Sequence, residues 1–93
     1  MVNEPKLVLV MWMDSMGYDG WMTLPADLQP PKPALAHSVG WLVRDEDGVL
    51  TVAPHVLFST SQASGVMEIP RMAVIALQEL PGPVPGLKFG DHE

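Results

Sequence analysis

A chain of 93 residues has the size of one domain. Its formal charge of −6, from five Lys and Arg against 11 Asp and Glu, argues against the clustered cations that meet nucleic-acid phosphates. The absence of cysteine excludes a disulfide scaffold, a thiolate metal site and a cysteine nucleophile.

Ten prolines and eight glycines in a chain that is 47% hydrophobic describe short apolar segments broken by turns, a β composition rather than a helical one. The first five residues carry neither a basic stretch nor a small-residue cleavage site. The longest apolar run, 7–13, is far below the ~20 residues that cross a bilayer. A cytoplasmic protein without a membrane partner is expected.

The run Leu7-Val-Leu-Val-Met-Trp-Met13 is β-branched at its start and too short for a typical helix, so it predicts a strand. It has no polar face. Both sides therefore need cover, from the rest of a small barrel or from a second subunit, and a homo-oligomer is expected. Residues 14–23 combine two glycines with two aspartates, the chemistry of a structured loop. One helical turn is expected over 24–28, with Pro25 near its start, before Gln29-Pro-Pro-Lys-Pro33 forces an extended connection.

Residues 37–44 alternate, with Val39, Trp41 and Val43 on one face and Ser38, Gly40, Leu42 and Arg44 on the other, the period of a strand. Asp45-Glu-Asp-Gly48 is an acidic hairpin turn leading into a second strand over 50–58. There Leu50, Val52, Val56 and Phe58 face one way and Thr51, Ala53 and His55 the other, and Pro54 demands an edge or a bulge. A mobile polar loop over 59–65 and a short strand over 66–69, with Glu68 toward solvent, come next. Residues 71–80 mix helix formers with Val74 and Ile75, which leaves helix and strand both open, strand being favoured. The ordered domain is expected over 1–80, and the Pro- and Gly-rich segment 81–93 reads as a flexible tail.

The text Gly65-Val-Met-Glu-Ile-Pro-Arg-Met-Ala-Val74 resembles the end of an SH3-like small barrel, in which a strand closes with Ile-Pro, one tight helical turn follows and a valine opens the last strand. The expected fold is accordingly mostly β, a small SH3-like or Sm-like barrel of about five strands with a long loop. Three further blocks, Val10-Met-Trp-Met-Asp-Ser-Met-Gly-Tyr-Asp-Gly-Trp21, Ser38-Val-Gly-Trp-Leu-Val43 and Ile69-Pro-Arg71, resemble a group of short bacteriophage and prophage proteins. The resemblance implies a phage setting and directs attention to Asp14, Ser15, Tyr18, Asp19, Trp21 and Arg71. Methionines at 11, 13, 16 and 22 stand where that group suggests more polar residues, which points to an apolar interface.

Catalytic chemistry finds little support. Ser59, Ser61 and Ser64 with His37 or His55 offer what any chain of this size offers, and no Gly-x-Ser-x-Gly elbow exists. Asp14 and Asp19 lack calcium-loop spacing, and beside glycine they read as turn residues, so no metal, cofactor or catalytic residue is expected. The aromatic loop carries more. Tyr18 and Trp21 are suited to stacking a planar group, and Arg44 or Arg71 to meeting a phosphate. The leading expectation is a non-enzymatic phage accessory protein that binds a small nucleotide-like ligand at Asp14, Ser15, Tyr18, Asp19, Trp21, Arg44 and Arg71, with sequestration of a host immune signal as one use. The alternative is a protein-interaction module, either a virion or assembly component or an inhibitor of a host protein, working through the first strand and the methionine cluster.

Overall fold

The computed structural model describes residues 4–15, 17–32, 34–81 and 89–90. Strand β1 (Lys6–Asp14) is followed by a long loop and then by β2 (Ala34–Glu46), the longest strand. The two run antiparallel in unbroken register from Lys6 opposite Leu42 to Asp14 opposite Ala34. β2 turns into β3 (Val49–Ala53) through Asp47 and Gly48, whose φ angles of 54° and 74° give the two left-handed residues that a tight hairpin turn requires.

Pro54 ends β3, because proline supplies no N–H to a ladder. The single strand expected over 50–58 is therefore two: β4 (His55–Leu57) leaves the main sheet and pairs with β5 (Gln62–Ser64) as a separate hairpin. The loop expected over 59–65 thus contains a strand. β6 (Met67–Pro70) pairs with β3, a 3-10 turn (Arg71–Ala73) follows, and β7 (Val74–Glu79) pairs with β1. The ambiguous segment 71–80 is a turn and then a strand.

The main sheet has five antiparallel strands in the order β6-β3-β2-β1-β7. In a flat sheet its two edges would lie about 19 Å apart, at ~4.8 Å per strand spacing. Only the residues of the 3-10 turn join Pro70 at one edge to Val74 at the other, and at about 2 Å of rise per residue they do not span that gap. The sheet is therefore strongly curled. Its edges are not paired with each other, so it forms no closed barrel.

The curl encloses Val8 and Val10 from β1, Leu50 and Val52 from β3 and Ile69 from β6, with Trp12, Leu42 and Val74 packed around them. On β2 the face turned inward carries Ala36, Ser38, Gly40 and Leu42, opposite Trp12, Val10, Val8 and Lys6. Gly40 has a steric reason to be there: a Cβ would stand 2.7 Å from Val52 Cγ1 and 2.9 Å from the Ala53 carbonyl oxygen. A bulge between Leu42 and Arg44 then shifts the register, and Val43 is buried. Trp12 reaches the core edge and satisfies its indole by donating from Nε1 to Ser38 Oγ at 3.0 Å.

Most of the expected tail, 82–88 and 91–93, lies outside the described residues. Within the same segment Phe89 and Gly90 contact Phe58. Phe89 stacks on Phe58 with ring centroids 5.7 Å apart, and the Gly90 N–H donates to the Phe58 carbonyl at 2.6 Å.

Candidate functional site

Side-chain alternation gives β1 a second face, made of Leu7, Leu9, Met11 and Met13. The register sets Trp41, Val39, His37 and Leu35 of β2 directly opposite them. On the other flank Gln78 and Ala76 of β7 stand opposite Leu9 and Met11. Among the described residues none covers this surface fully: Leu9 and Met11 are half-buried, while Val39 and Leu35 are 55% and 53% exposed. Among the described residues of a chain with 11 acidic side chains, this face holds none, and His37 is its one titratable side chain. The Lys6–Glu79 ion pair, at 3.4 Å, belongs to positions that alternate to the opposite side.

The loop between β1 and β2 continues from the Met13 and Leu35 end of this face. Asp14 closes β1 and its Oδ1 accepts from the Ser15 N–H at 2.8 Å, a local turn contact. Tyr18 and Asp19 are exposed, Gly20 adopts φ 80°, and Trp21 is fully exposed at 104%. The expected turn follows: the Asp27 N–H donates to the Thr23 carbonyl at 2.9 Å, and the Thr23 N–H donates back to Asp27 Oδ2 at 3.0 Å. The Leu24–Pro25 peptide is cis, and Leu24 and Leu28 also project into solvent. Met16 lies outside the described residues.

The two arginines are engaged elsewhere. Arg44 donates from Nη2 to Glu68 Oε1 at 3.0 Å and from Nε to the buried Thr51 Oγ1 at 3.3 Å, with Glu46 at 3.8 Å. Arg71 donates from Nη1 to Asp45 Oδ2 at 3.1 Å. Each guanidinium already faces a carboxylate of its own chain, so an anionic ligand would compete with Glu68 or Asp45. Among the described residues, no hydrogen bond or ion pair joins either arginine to Asp14, Ser15, Tyr18, Asp19 or Trp21. The seven residues singled out from the sequence thus fall into a loop group and an ion-paired group that share no bond.

A metal or a triad gains no geometry either. Among the described residues no group of three or more His, Asp or Glu stands close enough to hold an ion. His55 lies opposite Ser64 across the β4–β5 ladder, but no side-chain hydrogen bond links them.

Sequence reasoning missed one feature. Trp41 meets Phe58 edge to face, centroids 5.2 Å apart and planes at 88°, and with Pro54, His55, Val56 and Ser64 they line a concavity of about 550 Å³. The signal was Pro54, which separates Phe58 from β3 and lets β4 fold back beside Trp41. Comparison of the chain with protein-family models, with curated proteins and with solved structures finds no match.

Proposed function

We propose that this chain is a non-catalytic protein-interaction module whose working surface is the outer face of β1 and β2, prolonged by the Tyr18 and Trp21 loop. The observation that carries the reading is the union of two properties in one place: a largely apolar sheet surface and, among the described residues, the absence of any carboxylate from its strand positions in a strongly acidic chain. Large exposed apolar patches mark contact sites, and methionine and tryptophan are enriched where proteins meet. The small-ligand alternative is less well supported, because its two phosphate-binding candidates, Arg44 and Arg71, are already paired with carboxylates.

An SH3-like barrel left open between β6 and β7 is the fold reading that goes with this proposal. The pairing order and the three-residue 3-10 turn before Val74 support it. A phage setting, as an assembly component or an inhibitor of a host protein, rests on the resemblance of the three blocks 10–21, 38–43 and 69–71 alone.

Site-directed photo-crosslinking in the producing cell tests the proposal. A photoreactive residue at Val39 is expected to give covalent protein adducts, and one at Met72, which is 101% exposed on the 3-10 turn, is expected to give few. Equal yields at both positions, or none at Val39, would sink it.

A further inference from the structure

We infer that the occupant of this outer face is a second copy of the same chain, the two sheets stacking face to face about a two-fold axis that passes near Leu9 and Met11. The inference rests on the interaction reading and names its partner.

Charge argues for a copy and for this face. Two chains of formal charge −6 repel each other, and association is favoured only where the opposing surfaces carry no like charge. Among the described residues the outward positions of β1, of β2 over 35–41 and of β7 at 76 and 78 meet that condition, whereas Asp45, Glu46 and Asp47 cluster at the β2–β3 turn and Glu68 lies on β6 at the far edge. An isologous contact also needs a surface that complements itself, and an apolar, flexible set of Leu, Met and Val side chains does so without any matched charges.

Size sets the strength of the contact. Three strands at ~4.8 Å spacing and about eight residues at ~3.3 Å give a projected face of roughly 14 by 26 Å, near 370 Å² per copy. Two copies cover about 700 Å² between them, the size of a weak and reversible association. Sheets stacked in this way lie about 10 Å apart with strand directions within ~30°, a spacing that Leu and Met side chains fill from both sides. Leu9 and Met11, half-exposed in one copy, then become the centre of a second core.

Sedimentation equilibrium of the wild-type chain is expected to show a dimer. Val39→Glu and Met11→Glu each place a carboxylate twice in the stacked layer and are expected to weaken dimerisation by at least about a hundredfold while leaving the far-UV circular dichroism unchanged. Met72→Glu, which adds the same charge away from the face, is expected to leave the dimer intact. A wild-type monomer at about 100 μM, where even weak interfaces assemble, would overturn the inference. So would a dimer that Met72→Glu disrupts and Val39→Glu spares. In either failure the Val39 crosslinks separate the two ideas: adducts to a different protein retain the interaction reading without the second copy, and no adducts remove both.

Discussion

The two faces of β1 are built from similar residues and have opposite fates. Val8 and Val10 are sealed beneath Leu50, Val52 and Ile69, while Leu9 and Met11, one residue away in each case, alternate to the other side and are half-buried. Hydrophobicity alone does not distinguish these positions. What distinguishes them is the size of the residue opposite. Gly40 and Ser38 on β2 leave room for the valines and for the approach of β3, whereas on the other side Val39 stays 55% exposed and Trp41 meets the Phe58 ring at the β4 end of the strand. The inner face uses its apolar surface to fold the chain. The outer face leaves apolar side chains exposed, the surface proposed above for association.

The largest effect should come from the inner face. Leu50→Ala removes a fully buried side chain at the meeting of three strands and is expected to cost about 3 kcal/mol in urea unfolding, with the slope of the transition unchanged. Gly40→Ala should follow at about 2 kcal/mol, because the added methyl meets a backbone carbonyl that cannot move without disturbing the β2–β3 ladder. A neutral effect would mean that β2 and β3 are less closely apposed at Ala53 than described.

Smaller changes are expected at the ion pairs. Arg44→Met, tested by the same titration, should cost about 1 kcal/mol or a little less, since the side chain is 41% exposed and the ion pair is screened by solvent, although Thr51 loses a partner. Smallest of all is Trp21→Ala, expected to alter monomer stability by less than about 0.5 kcal/mol because the indole is fully exposed. A larger loss in a dilute monomer would show that the loop folds back on the sheet.

Much of this contrast was legible in the sequence, and some of it was not. The unbroken run 7–13 announces a strand that is apolar on both sides, and Asp47-Gly48 announces the turn, because both signals are local. The orientation of β2 is not local. Val39, Trp41 and Val43 look like a core face in isolation, yet Gly40 is the residue that the approach of Ala53 demands, and that approach is set by the pairing of β2 with β3. The partners of Arg44 and Arg71 were hidden for the same reason: Glu68 and Asp45 come within reach only once β6 has joined β3 and the 3-10 turn has crossed the curled sheet. The exposure of Trp21 was readable as a loop aromatic, whereas the concavity at Trp41 and Phe58 depends on Pro54 redirecting the chain.

The division of labour between the two faces is tested most directly by urea unfolding of Val10→Ser and Leu9→Ser, each followed across a range of protein concentrations. The account predicts that Val10→Ser loses stability at every concentration. It predicts that Leu9→Ser matches the wild type when dilute and lacks only the gain in stability that the wild type shows as concentration rises. Equal losses for the two variants in the dilute monomer would contradict it, and would make the outer face part of the folding core.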